Sequence, residues 1–90
     1  MNDGFYFYIV KCSDDSYYIG HAEDLQQRLN DHNSGTYGGY TSKKVPVHLV
    51  YSELFQTRAE AIHAEHKVKR WTRRKKEILI KNGWAGFLKK

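Results

Sequence analysis

Ninety residues with 15 Lys and Arg against 10 Asp and Glu carry a net charge of +5, and a chain of this length reads as one domain with a small core, which excludes a multi-domain enzyme. Hydrophobic residues at 40% and charged residues at 28% describe a folded domain rather than a disordered tail. The charge is uneven: residues 1–60 hold five bases and eight acids, whereas residues 61–90 hold ten bases and two acids. A patch that basic most often meets a polyanion, nucleic acid first, against the plain alternative of a solvated helix face.

Phe5 to Lys11 is aromatic and β-branched, and the polar cluster Ser13-Asp14-Asp15-Ser16 separates it from a second strand-like run, Tyr17 to Gly20. This pattern predicts a hairpin. A three-residue loop at 13–15, with Asp15 left-handed, pairs Tyr8 with Gly20 and Val10 with Tyr18 and puts Tyr8 and Tyr18 on one face; an even loop separates them. The single Cys12 has no disulfide partner within the chain and falls in strand-like sequence, so a buried, inert thiol is expected. No apolar stretch approaches the roughly 18 residues that span a bilayer and no basic signal region precedes Phe5, so the expected setting is cytoplasmic, away from membranes.

Glu23 to Asn33 is helical in pattern, with acids in its first turn and Gly35 beyond its end. Leu25, Arg28, Leu29 and His32 share one stripe, so an arginine and a histidine lie along the face that anchors the helix. Residues 34–46 form a polar loop closed by Pro46, in which Lys43 and Lys44, beside Tyr37 and Tyr40, extend a phosphate-facing footprint. Val47 to Phe55 reads as a third strand with His48 half-buried, and Thr57 to Glu60 matches a capping box. The helix that follows keeps Ala61, Ile62, Ala64, Val68 and Trp71 on its apolar side, with Glu65 among them. Desolvating an unpaired carboxylate is expensive, so Glu65 must meet a base, a hydrogen-bond donor or a metal ion; the structural alternative is a buried pair with Arg28. Thr72 caps a last helix running to Asn82, stopped by Gly83. The expected fold is α+β: a three-stranded antiparallel sheet, in chain order β-β-α-β-α-α, with strand one central, strand three on its free side, and helices covering it.

Lys67, Lys69, Arg70, Arg73, Arg74, Lys75 and Lys76 place seven bases in a ten-residue stretch around Trp71. Phosphate contacts of this kind give salt-sensitive affinity without sequence choice. Trp71 either stacks on a base or fills the gap between the last two helices. His63 and His66, three apart, lack the further ligands zinc takes and read as exposed helix residues.

Tyr8, the Tyr18-Ile19-Gly20 tripeptide, Arg28, His32 and Glu65 together resemble the GIY-YIG nuclease family. Tyr6-Phe7-Tyr8 matches the first half of the name motif, with Tyr8 ten residues before Tyr18; Arg28 follows Tyr18 by ten, and Glu65 falls at the family's metal-binding glutamate. The chain departs from the pattern with Tyr6 at the first motif glycine, His21 where lysine is frequent, and Lys76-Glu77 where many members carry asparagine. The likeness runs from about Phe5 to Trp71 and is to small stand-alone bacterial members, one domain over residues 1–90. It implies hydrolysis of DNA phosphodiesters, on branched or damaged DNA in repair or recombination. Tyr8 would then be the general base, Tyr18 would orient water or phosphate, and Arg28 would grip phosphate. Glu65 would hold one Mg²⁺ or Mn²⁺, with His21 and His32 as secondary phosphate or proton-transfer groups. A second reading keeps the fold and the nucleic-acid grip but not turnover; a third makes the basic helix a dock for an acidic protein. With no targeting domain, a protein partner is a further expectation.

Overall fold

In the computed structural model residues 4–34 and 43–84 are described; Tyr37 and Tyr40 lie outside them. The elements are β1 (Phe5–Lys11), β2 (Tyr17–Ala22), α1 (Leu25–Ser34), β3 (His48–Phe55), α2 (Arg58–Lys69) and α3 (Arg73–Asn82). The sheet runs β2-β1-β3, with both pairings antiparallel, as strand order and hairpin logic predict.

The hairpin takes the odd loop. Asp15 has φ 75° and Tyr8 lies opposite Gly20, Val10 opposite Tyr18. Asp14 accepts hydrogen bonds from the Ser16 backbone at 3.0 Å and its hydroxyl at 2.6 Å, which fixes the turn and holds the Asp14 carboxyl down at about 2. Because an αL residue is tolerated by Asp and free for Gly, Asp15→Gly is expected to leave stability within about 0.5 kcal/mol, whereas Asp15→Val should cost about 1–2 kcal/mol. Urea unfolding of both variants checks this.

Alternation then divides the core. Tyr8, Val10, Ala22 and partly Tyr18 pack with Leu25 and Leu29 of α1 on one sheet face. Phe7, Ile9 and Ile19 pack with Ala64, Val68 and Leu79 of α2 and α3 on the other. A bulge at the Ile9/Val10 step skips Val50, so Val10 faces Leu49 while Ile9 faces Tyr51. Cys12 is buried, and desolvation pushes its thiol up, as expected of an inert cysteine.

Helix α1 begins two residues later than the pattern predicts. Asp24 is its N-cap: the carboxylate accepts from the Gln27 N–H at 3.0 Å and the carbonyl from the Arg28 N–H at 3.0 Å. The two acids therefore precede the first turn instead of occupying it. Its other end is clamped by Asn33, whose side-chain amide donates to the Val47 carbonyl at 3.2 Å and accepts from the Val47 N–H at 2.7 Å. The third strand starts at His48, not Val47, and His48 is exposed instead of half-buried. The Thr57–Glu60 capping box forms as read, with Glu60 N–H to Thr57 Oγ1 at 3.1 Å and Thr57 N–H to Glu60 Oε1 at 3.2 Å. Thr72 caps α3, which Gly83 ends at φ 81°. Trp71 packs partly buried against the α2–α3 core with the Lys75 ammonium 4.4 Å from its ring, which is the gap-filling alternative.

Candidate active site

Tyr8 is fully buried in the central strand, and its Oη lies 3.0 Å from Nε2 of His32, itself fully buried on α1. Burial and the nearby Arg28 charge both push the His32 pKa down, so the imidazole is neutral at pH 7 and shares a neutral hydrogen bond with the phenol. Tyr18, partly exposed, sets its ring 5.2 Å from His32 and 6.4 Å from Tyr8, centroid to centroid. The two tyrosine rings meet above Gly20. A Cβ there would stand 2.7 Å from Tyr8 Oη and 3.2 Å from Tyr18 Cε2, so the glycine is a gap that two tyrosine side chains fill.

The same pKa direction gives a pH prediction. In the unfolded chain His32 takes up a proton near its ordinary value of about 6.5, while in the fold it resists protonation to lower pH. The unfolded state therefore binds more protons in that window, and stability should fall as pH drops below about 6.5 until the folded-state pKa is passed, by at most roughly 1.4 kcal/mol per pH unit. Chemical denaturation across that range should show the slope in the natural protein and a flatter one in His32→Gln.

Strand β2 carries the site to its other face. One residue beyond Gly20, His21 points with Ile19 toward α2, where its Nδ1 lies 2.5 Å from Glu65 Oε1; a carboxylate has no proton to give, so Nδ1–H donates. Glu65 Oε2 accepts from Lys69 Nζ at 2.7 Å, one helical turn on. Burial alone would raise the Glu65 pKa, but Lys69 and His21 outweigh it and hold the carboxyl below the usual range. The His21 carbonyl takes the Arg28 guanidinium, Nη1 to O 3.1 Å. His21 thus links the arginine of α1 to the glutamate of α2.

These contacts correct the Arg28–Glu65 pair offered as the structural alternative. α1 and α2 cover opposite faces of the sheet, and the bases on Glu65 are His21 and Lys69. The sequence reading missed the Tyr8–His32 bond and both partners of Glu65. The i, i+4 spacing of Glu65 and Lys69 carried the second signal, and strand alternation placed His21 on the α2 face.

Two clefts flank the edge of β2. One, of about 310 Å³, is lined by His21, Asp24, Gln27, Arg28, Asp31 and Arg58; the other, also about 310 Å³, by Tyr17, Tyr18, Ile19, Lys69 and Lys76. The outer face of α2 adds an open basin between His63, His66, Lys67, Arg70 and Trp71. Both histidines are exposed there. Arg74 and Lys75 are exposed on α3, and Lys43 is exposed ahead of β3. Besides Lys69 on Glu65, two more of the predicted phosphate-binding bases, Arg73 and Lys44, are engaged within the fold. Arg73 donates to the Asp15 carbonyl at 2.8 Å and to Glu77 at 3.0 Å while lying 4.4 Å over the Tyr17 ring. Lys44 pairs with Asp14 at 3.1 Å.

A small antiparallel sheet that brings two tyrosines, an arginine and a buried helical glutamate to one edge strand defines a class. A sequence model of the GIY-YIG catalytic domain matches residues 4–78, and the chain belongs to that family, a nuclease family whose members act on DNA and generally use a divalent metal. Within it the chain is similar to small proteins of the UPF0213 group. A Haloquadratum walsbyi member is 46% identical over 83 residues, covering 92% of this chain and 93% of that one. A Staphylococcus aureus member is 48% identical over 79 residues, covering 88% and 96%. The solution structure of the Bacillus halodurans UPF0213 protein, 40% identical, aligns with a TM-score of 0.57 over 90% of this chain and 84% of its own. That of an E. faecalis protein, also 40% identical, gives 0.61 over 90% and 88%. No helix among the described residues is long and apolar enough to cross a membrane.

Proposed function

We propose that this chain, acting as one domain, is a metal-dependent DNA endonuclease that hydrolyses phosphodiesters, with branched or damaged DNA met in repair or recombination as its substrate class. The observation that carries the reading is that strand β2 links the two groups through consecutive residues, Gly20 packing against Tyr8 of the tyrosine–histidine pair on one sheet face and His21 bonding the buried anionic Glu65 carboxylate on the other. The donor set suits the metal proposed. One carboxylate stands there, and no group of three or more His, Cys, Asp or Glu gathers among the described residues. Mg²⁺ and Mn²⁺ draw most of their ligands from water and phosphate, and Glu65 is the residue that would hold such an ion. When bound, such an ion stabilises charge on the leaving oxygen.

The chain's own groups supply the rest. Arg28, at the cleft and always charged, binds the scissile phosphate and is oriented by the His21 carbonyl. Tyr18, the exposed member of the ring pair, orients water or phosphate. Tyr8 takes the proton of the attacking water, with its hydroxyl held in place by the hydrogen bond to neutral His32. Tyr8 is enclosed in the free protein, so binding of a strand must shift Tyr18 to admit that water. Lys67, Arg70, Arg74, Lys75 and Lys76, with Lys43, hold the backbone on either side.

One observation favours the second reading, a nucleic-acid-binding module without turnover: both Glu65 oxygens are already taken by His21 and Lys69. Incubation with Mg²⁺ or Mn²⁺ and a panel of single-stranded, duplex, flapped and branched DNAs separates the two. Nicking of any member supports the nuclease. Salt-sensitive binding with no nicking across the panel sinks it and leaves the module.

A further inference from the structure

The two bases on Glu65 are not equivalent. His21 is fixed in β2, its carbonyl bound by Arg28 and its Nδ1 by Oε1. Lys69 reaches Oε2 from the last turn of α2 on a flexible four-carbon stem whose side chain is 48% exposed, although the carboxylate it holds is only 11% exposed. Lys69 also lines the cleft beside Tyr17, Tyr18 and Lys76, so one ammonium borders both the buried acid and the surface where a phosphate would lie.

We propose that Lys69 is a charge latch between the metal and the DNA. In the free protein it neutralises Glu65. When a divalent cation takes its place on that carboxylate, the ammonium turns outward and pairs with a backbone phosphate in the Tyr17–Tyr18 cleft. The inference rests on the reading of Glu65 as the metal-holding residue and adds to it a positioning residue with two exclusive partners. The chemistry favours the exchange in one direction. A carboxylate oxygen shared by an ammonium and a cation would bring two positive charges together, so Lys69 must leave as the ion enters, and a neighbouring phosphate is the nearest compensating anion. Linkage makes the effect mutual: the cation strengthens DNA binding, and DNA, by drawing Lys69 away, strengthens cation binding by the same factor. This would favour metal loading on the DNA-bound protein by that factor.

Two measurements test the latch. The first is fluorescence anisotropy of a labelled, nuclease-resistant phosphorothioate duplex in EDTA, with the natural protein, Glu65→Gln, Lys69→Met and the double variant. The latch predicts that Glu65→Gln, by freeing Lys69, tightens binding about tenfold, the worth of one hydrogen bond to a charged group, and that this gain disappears when Lys69 is already methionine. An equal gain in both backgrounds would mean simple loss of a repelling charge and would overturn the proposal. The second is Mn²⁺ binding by electron paramagnetic resonance without DNA. Lys69→Met is expected to bind the ion about tenfold more tightly than the natural protein. Equal or weaker binding overturns the latch alone; no binding by either protein overturns it together with the metal reading of Glu65. Lys69 is largely exposed and Glu65→Gln is nearly isosteric, and circular dichroism confirms that each variant is folded.

Discussion

Tyr8→Phe is expected to lower DNA cleavage about 10²–10⁴-fold, the usual contribution of a positioned acid–base group, while DNA affinity changes little because Tyr8 is fully buried. The substitution also has a structural cost. The buried His32 Nε2 loses its hydrogen bond to the phenol at 3.0 Å, a loss of about 1–3 kcal/mol that should appear as a lower melting temperature. Activity must therefore be assayed well below the new midpoint, with the folded fraction checked by circular dichroism. Cleavage within a few-fold of the natural rate in folded Tyr8→Phe would remove Tyr8 from the chemistry and leave it as a core residue whose hydroxyl satisfies a histidine.

Gly20→Ala is expected to have the second large effect, through a residue that touches no reactant. The new methyl would stand 2.7 Å from Tyr8 Oη and 2.8 Å from its Cζ. Such a contact is relieved cheaply when the neighbour is a loose side-chain end, but this phenol is enclosed and held by His32. The alternatives are a displaced tyrosine or a displaced strand, at about 1–3 kcal/mol for overpacking. A shift of roughly 1 Å at a catalytic group costs about 10²-fold in rate, so cleavage should fall by that order with the sheet intact. The measurement is a comparison of kcat with the unfolding midpoint. A fall in the midpoint with kcat unchanged would show that the tyrosines re-form their geometry around the methyl.

The two variants also show what kind of information the chain carried openly. Strand alternation and turn chemistry gave the hairpin and narrowed its register to an odd or an even loop; the fold takes the odd one, with Asp15 left-handed, and that register brings Tyr8, Tyr18 and Gly20 together. These are short-range rules. Capping residues gave the start of α2 and both ends of α3 in the same way, but α2 stops at Lys69, short of the Trp71 read onto its apolar side, and the start of α1 was misplaced because Glu23 and Asp24 serve equally well as first-turn acids or as the residues before a cap. The partners of Glu65 were harder to read. A buried acid announces that it needs a counter-charge, but the choice among Arg28, His21 and Lys69 depends on which helix covers which sheet face, a tertiary fact. Likewise the basic run looked uniform in sequence, whereas the fold engages Arg73 and leaves Arg70 and Arg74 on the surface.

Arg73 has a consequence for how the molecule is assembled. Its guanidinium bridges α3 to the Asp15 turn, and the Tyr17 hydroxyl reaches Glu77 of the same helix at 3.4 Å, so residues about sixty positions apart buttress the hairpin that carries Tyr8 and Tyr18. A nascent chain thus exposes its hairpin early but lacks the brace for it until α3 has emerged and docked. Closing so long a loop is slow compared with forming the hairpin itself. The edge strand therefore gains its brace only when the last helix docks, so the hairpin that holds Tyr8 and Tyr18 and the basic helix beside it are completed in the same step.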